Sequence, residues 1–190
     1  MPTHHFTPTR YYNTIGSHPP ALVVADGDTV ITTTIDAFGT DRHGVSVAGR
    51  PNPQTGTFYV NGALPGDVLA VDLVRLTPDR PTGFMRDVVA ANVVDPAFAP
   101  SLPEAQLREW HIDPAAGVAR PAEPLLHLPG MALALAPMIG CFGVAPSLGQ
   151  AISTATSGPH GGNMDYRGFC AGTTAYFPIS VEGALFFIGD

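Results

Sequence analysis

The sequence predicts a mainly β fold with a smaller α+β part, in which short hairpins form a barrel-like arrangement. Three observations support this fold class. The 190 residues include 21 glycines and 20 prolines, which favours many turns and short strands over long helices. Hydrophobic residues make up 45% of the chain and charged residues only 13%, so a core can be buried. Several segments alternate polar and apolar residues with the period of a strand.

Two segments, 26–39 and 65–76, share a Gly-Asp turn followed by an alternating run, which suggests a barrel-like repeat. Between them, Asn61-Gly62 is the strongest short-range signal for a hairpin turn, so a hairpin is expected over 57–67. Three separate hairpins explain these segments equally well.

Residues 95–130 are rich in proline and read as an irregular connector. One short helix is expected at "PEAQLREW", 103–110, because Pro103 suits the first turn of a helix. We therefore divide the chain into a β-rich part that includes the connector, 1–130, and a part with an apolar segment, a glycine-rich loop and a hairpin, 131–190. The two parts are expected to form one continuous unit.

Charge and composition exclude several classes of function. The formal net charge of −7 disfavours binding to nucleic acid or to an anionic membrane. All nine cationic residues are arginines, so these 190 residues contain no lysine for Schiff-base, P-loop or lysine-dependent amidase chemistry. The N-terminus lacks the apolar run of a signal peptide, which predicts a cytoplasmic protein. Pro137 and Pro146 interrupt the apolar stretch 130–149, which favours buried loop and strand over a membrane span.

The stretch "SGPHGGNMDYRG", 157–168, places His160, Asn163 and Asp165 around two adjacent glycines. The last segment, 173–190, is predicted to be a hairpin that turns at Glu182-Gly183 and returns Asp190 to the same end as this loop. An imidazole with carboxylates suits a divalent metal such as zinc. The alternative is a simple turn, in which the side chains of residues 163 and 165 bond to their own backbone.

Nucleophilic mechanisms have weaker support in the sequence. The run "GVSVA", 44–48, lacks the last glycine of a serine nucleophile elbow. Cys170 lies near His160 in the sequence but sits at the expected start of a strand, so a thiol nucleophile is disfavoured. Cys141 and Cys170 fit free thiols better than a disulfide scaffold.

Several separated motifs resemble the acetamidase/formamidase family of metal-dependent amide hydrolases. The main ones are "PHGGNMD" at 159–165 and "GALFFIGD" at 183–190, and further matches follow the family order: "TIDAFG" at 34–39, "NPQTGTFYVNGALPGDVLAV" at 52–71, "EWHIDPAAGVA" at 109–119 and "PMIGCFGVAPS" at 137–147. Family members continue past the Gly-Asp pair into a further histidine and an acidic Gly-Asp-Gly-Glu element. The chain therefore corresponds to roughly the first three fifths of a family member. A shortened chain, a cleaved chain and a short homologue each explain this difference.

The resemblance implies that short primary amides, of the formamide and acetamide type, are hydrolysed to a carboxylate and ammonia by a metal-activated water. It implies that Asp36, His160 and Asp190 are metal ligands, although Asp36 also fits a plain turn residue. Asn163 would donate to the substrate carbonyl, and Asp165 would be a further ligand or a group that fixes the site. The metal is expected to be zinc, with calcium as the alternative.

The expected partners are a small amide substrate, further copies of the chain in a homo-oligomer, and a C-terminal fragment that completes the fold. Neither nucleic acid nor a membrane is expected as a partner. Two other functions stay open. The first alternative is a non-catalytic binding or assembly module on the same scaffold. The second is hydrolysis of a cyclic amide, a lactam, because the carbonyl chemistry is the same.

Overall fold

The computed structural model describes residues 1–190 and confirms the mainly β fold. Its contacts form two compact units: a major unit, residues 1–76 with 137–190, and a minor unit, residues 77–136. This division differs from the predicted parts, 1–130 and 131–190, because the last strands pair with strands of the first 76 residues. No helix has the length and apolar character needed to cross a membrane.

The strands are short and are numbered in chain order: β1 (Thr3–His5), β2 (Thr14–Ile15), β3 (Leu22–Val24), β4 (Thr29–Ile31), β5 (Thr55–Val60), β6 (Val68–Leu73), β7 (Thr82–Arg86), β8 (Leu107–Asp113), β9 (Val118–Pro121), β10 (Leu133–Ala134), β11 (Cys141–Val144), β12 (Ile152–Ser153), β13 (Ser157–Gly158), β14 (Gly161–Asn163), β15 (Thr173–Pro178) and β16 (Phe186–Gly189). The predicted α+β part is reduced to two 3-10 helices, Ala91–Val93 and Ala99–Ser101.

A six-stranded sheet in the order β13-β14-β11-β16-β5-β3 forms the centre of the major unit. All four residues of β11 are buried, and Phe142 and Phe187 are fully inaccessible to water. The sequences of β11 and β16 are continuous apolar runs rather than alternating ones. Such runs are expected of strands that are covered on both faces. The main core packs around Phe142, which meets Phe169 and Phe177 edge to face.

The predicted hairpin at 173–190 is wrong. Strand β15 pairs with β6, so that Ala175 lies opposite Val71 and not opposite Asp190. Strand β16 pairs instead with β11 and β5. A turn does form at 181–184, closed by a bond from the Ala184 N–H to the Val181 carbonyl, but the strands on either side of it diverge. The local sequence indicated the two strands correctly and carried no information about their partners.

The two Gly-Asp turns of the sequence repeat are alike in structure. In each, an aspartate Oδ2 accepts from the N–H three residues earlier, at 2.9 Å from Ala25 to Asp28 and 3.0 Å from Leu64 to Asp67. The following strands have different partners, since β4 pairs with β1 and β6 with β15, and the strands do not close into a barrel. The hairpin expected over 57–67 is also wrong, because β5 and β6 are not paired.

The minor unit contains one four-stranded antiparallel sheet in the order β10-β9-β8-β7. Residues 107–113 form its strand β8, so the helix predicted at 103–110 is wrong. Pairing on both sides of β8, with β7 and β9, outweighs the weak local preference for a helix. Trp110 is the one large apolar side chain that this unit buries.

Candidate functional site

The glycine-rich loop is a tight hairpin between two short strands. Strand β13 pairs with β14, Gly158 opposite Gly161, so that Pro159 and His160 form its two-residue turn. Gly161 has a φ of 93°, and a Cβ on it would come within 2.9 Å of the Gly143 Cα in β11. The adjacent Gly162 has a φ of 100°. The two glycines therefore supply left-handed backbone and allow close approach of β14 to β11.

His160 is held at the turn of this hairpin with only 6% of its surface exposed. Its main-chain oxygen accepts from the Val144 N–H at 2.9 Å. Its Nε2 is buried and has no hydrogen-bond partner. Burial lowers the pKa of His160 below its ordinary value, because the charged imidazolium is poorly solvated there. His160 is therefore neutral at pH 7 and retains an uncommitted ring nitrogen.

Two carboxylates converge beside Gly140, at the opposite end of β11. The Gly140 N–H donates to the Asp190 main-chain oxygen at 3.2 Å, and the Gly140 carbonyl accepts from the Asp165 N–H at 3.0 Å. A Cβ on Gly140 would lie 2.6 Å from Asp165 Oδ1 and 3.5 Å from Asp190 Oδ2. The space that a side chain would occupy at Gly140 is thus bordered by both carboxylates.

Asp36 joins this carboxylate pair from a turn near the N-terminus. Its Oδ1 accepts from the N–H groups of Phe38 at 3.0 Å and Thr40 at 2.9 Å. Asp36 therefore also acts as a turn residue, the alternative to a metal ligand. The next N–H, that of Ala37, donates to the Asp190 carboxylate. The segment "TIDAFG" therefore lies at the site. Nothing in the sequence predicted that the Ala37 N–H would contact the Asp190 carboxylate.

The pKa of Asp190 is raised above its ordinary value, first by burial of its carboxyl group and then by the charges of Asp165 and Asp36. The Ala37 hydrogen bond opposes this shift. Asp190 as a whole residue is exposed, yet its carboxyl group is shielded from water. The charges of Asp165 and Asp36 therefore act on Asp190, and its carboxyl group favours a proton or a cation.

Asn163 lies between His160 and the carboxylates. It pairs with Cys141 across β11 and β14, and its Oδ1 is buried without a hydrogen-bond partner. Neither Asn163 nor Asp165 bonds its own backbone through its side chain, in contrast to the simple-turn alternative. Rotation of the Asn163 amide presents either an acceptor or a donor to a ligand.

The structure places Asp165 beside Asp190 and Asp36 near enough to raise the pKa of Asp190, but it leaves His160 apart from them. Along β11, His160 lies at the level of Val144 and the carboxylates at the level of Gly140, a separation of roughly 13 Å at the rise of a strand. No group of three or more His, Cys, Asp or Glu side chains is close enough to share a metal ion. The ligand set of residues 36, 160 and 190 stays a prediction.

The Cys141 thiol is not arranged as a nucleophile. Cys141 and Cys170 are both free. Burial, with the charges of Asp190 and Asp165, raises the pKa of Cys141 to about 12. The thiolate of this residue is therefore disfavoured at neutral pH, and its Sγ donates to the Thr154 carbonyl at 3.6 Å.

Two open clefts lie elsewhere on the major unit, with volumes of about 250 and 550 Å³. Both are lined by Thr9 and Arg10, and neither is lined by any of the predicted site residues.

The chain is similar to solved structures of amide-hydrolysing enzymes. It is 31% identical to an acetamidase from Bacillus halodurans, with a TM-score of 0.78, over 98% of this chain and 61% of that one. It is 28% identical to a predicted acetamidase/formamidase from Thermoanaerobacter tengcongensis, with a TM-score of 0.79, over 100% of this chain and 60% of that one. The resemblance stated from the sequence motifs is confirmed.

The chain spans about three fifths of the length of these two structures. A γ-lactamase from Delftia acidovorans shares the fold, with a TM-score of 0.71 over 93% of this chain and 56% of that one, but at 21% identity this shows the fold alone. No family model and no curated protein matches the chain.

Proposed function

We propose, from the confirmed resemblance to the acetamidase/formamidase family, that this chain carries part of the site of an amidohydrolase. In this proposal the enzyme hydrolyses short primary amides to a carboxylate and ammonia. The observation that carries it is the convergence of the Asp165 and Asp190 carboxylates over Gly140, with Asp36 close enough to raise the pKa of Asp190. The chain spans three fifths of its structural neighbours, so the activity of the whole protein is included in the proposal.

The chemistry of the acceptors without donors fits a divalent cation. Asp165 and Asp190 form no ion pair with any arginine, and the buried Asn163 Oδ1 and His160 Nε2 have no donor. Asp190 and its neighbour Asp165 would offer carboxylate oxygens to the cation, which suits calcium as well as zinc, whereas a histidine ligand would favour zinc. When bound, such a cation polarises a carbonyl and lowers the pKa of a water.

The chain's own residues supply the remaining chemistry. The neutral His160 ring can accept a proton through its free Nε2. The Asn163 amide, turned to present its N–H group, would donate to the substrate carbonyl oxygen and stabilise the negative charge that develops there. Asp165 is fixed by the bond from its N–H to Gly140 at 3.0 Å, so its carboxylate stays beside that of Asp190.

The choice between a linear amide and a lactam depends on pocket shape, and we propose the linear amide because the acetamidase neighbours carry the higher identity. Ammonia release from formamide and acetamide, compared with ring opening of a simple lactam, measures this choice directly. A binding or assembly module would release no ammonia from any of them.

The test compares the chelator-treated protein with the same protein supplied with zinc or calcium. Asp190→Asn and His160→Ala should each reduce ammonia release by at least about tenfold, by analogy with the loss of groups that support a metal. The matched controls are Asp26→Asn and His127→Ala, two exposed residues outside the site. Full activity in both site variants, or a folded protein with neither metal uptake nor ammonia release, would overturn the proposal.

A further inference from the structure

Gln54 is a fully buried polar residue immediately before β5. Its side chain is 0% exposed, and its Nε2 donates to the Asn52 carbonyl at 2.8 Å. Its Oε1 is buried with no partner. A buried acceptor without a partner costs free energy, so the presence of this amide calls for an explanation beyond packing.

The Gln54 amide packs directly against the backbone of Gly189 in β16. A Cβ on Gly189 would come within 2.5 Å of Gln54 Nε2 and 2.9 Å of its Cδ. The φ of Gly189 is not in the left-handed region. Glycine is therefore favoured at this position by contact with the amide, and with the Pro53 main-chain oxygen at 3.0 Å, and not by backbone conformation.

A buried set of hydrogen bonds fixes the amide on its other side. The Asn52 Nδ2 donates to the Thr154 carbonyl at 3.0 Å, and the same carbonyl accepts from Cys141 Sγ at 3.6 Å. Cys141 is the residue paired with Gly189 across β11 and β16. The amide thus connects a rigid polar layer to the strand pair that ends at the carboxylate site.

We propose that Gln54 is a positioning residue for Asp190. Its amide fixes Gly189, and Gly189 delivers the next residue, Asp190, to the place where its carboxylate meets Asp165. The main-chain oxygen of Asp190 then accepts from Gly140, and its carboxylate accepts from Ala37. This inference rests on the proposed function only in taking Asp190 as a site residue.

The test changes the contact from both sides in the full chain. Gln54→Ala removes the amide, and Gly189→Ala displaces it. Each should weaken zinc binding, measured by calorimetry with the metal alone, by about tenfold or more. The double variant should lose less than the two single losses combined, because the new methyl group occupies the space left by the amide.

Two controls separate positioning from general loss of stability. Thr154→Val removes hydroxyl bonds to the Asn13 and Pro51 carbonyls but leaves the Gln54 contact, so it should lower the unfolding temperature and keep wild-type zinc affinity. Gly130→Ala adds a methyl group where nothing lies within 4 Å and should change neither. Wild-type zinc affinity in folded Gly189→Ala and Gln54→Ala would overturn the inference.

A second readout needs neither metal nor substrate. The Gly140 N–H is bonded to the Asp190 main-chain oxygen, so its hydrogen exchange reports the position of Asp190. Exchange at Gly140 should be faster in Gln54→Ala and Gly189→Ala than in Thr154→Val. If the wild type bound no zinc, this result would still support positioning while the proposed function failed, and equal exchange in all three variants would refute positioning.

Discussion

At the scale of single residues, burial moves His160 and Asp190 toward their neutral forms. The pKa of His160 is lowered because its ring is desolvated. The pKa of Asp190 is raised by desolvation and by the charges of Asp165 and Asp36. The shift of His160 removes a positive charge, and the shift of Asp190 reports an excess of negative charge around its carboxyl group, which a bound cation would offset.

Asp190→Asn is expected to make the metal-free protein more stable at pH 7. A carboxyl group with a raised folded pKa contributes stability that is complete below its ordinary value of 3.8 and is lost as the pH rises through the folded pKa. The charged form is therefore the costly one at pH 7, and the gain from asparagine should shrink as the pH falls toward 3.8. Thermal unfolding in the presence of a chelator measures it.

Asp26→Asn provides the reference for that experiment, because Asp26 is exposed and belongs to neither the site nor its hydrogen bonds. It should leave the unfolding temperature unchanged across the same pH range. A lower unfolding temperature for Asp190→Asn at pH 7 would contradict the argument and would indicate that the charged carboxylate stabilises the fold.

At the scale of elements, the site depends on how closely β14 approaches β11. Strand β11 is the shared neighbour, since Cys141 faces Asn163 on one side and Gly189 on the other. This arrangement brings the glycine-rich loop and the end of β16 together, although they are far apart in the sequence. Gly143 makes the approach possible, because it faces the His160 main-chain oxygen where a side chain would collide.

Gly143→Ala is expected to destabilise the protein by about 1–3 kcal/mol, the usual range for overpacking a rigid contact. A Cβ at this position would meet the His160 main-chain oxygen and would lie 3.1 Å from both Gly161 Cα and Gly162 N, all of them backbone atoms that cannot rotate away. Chemical denaturation of the variant measures the loss. Gly130→Ala is the control, and equal midpoints for the two variants would show that β14 shifts without cost.

At the scale of the whole molecule, the two units differ in how much apolar surface they bury. The major unit holds a continuous core around Phe142, Phe177 and Phe186. The minor unit buries one large apolar side chain, Trp110, and exposes others such as Leu126 at 88%. Hydrophobic burial is the main source of stability, so the major unit is expected to have the higher local stability.

Hydrogen exchange should therefore be slowest in β5, β11 and β16 and much faster in β7 to β10. The hydrogen bonds of the minor unit open without exposing a large core, whereas those of the central sheet open only with the major unit as a whole. Exchange followed by mass spectrometry on peptides from each unit tests this. Equal protection in the two units would contradict it.

The sequence by itself determined the class of the fold, several turns and the candidate residues. Glycine and proline content predicted short strands, and the Gly-Asp pairs ending at Asp28 and Asp67 form the expected turns, because such signals act through local backbone geometry. The motif "PHGGNMD" identified the loop of His160, and its resemblance to the acetamidase/formamidase family is confirmed by the structural neighbours.

Only the tertiary structure decided which strands pair, and hence how the site is assembled. Asp190 reaches Asp165 through β11, not through the hairpin predicted at 173–190, and residues 107–113 become a strand because β7 and β9 flank them. Every strand presents the same N–H and C=O groups along its edges, so the local pattern cannot name a partner. The packing of distant side chains makes that choice, and it also buries Gln54 beneath Gly189.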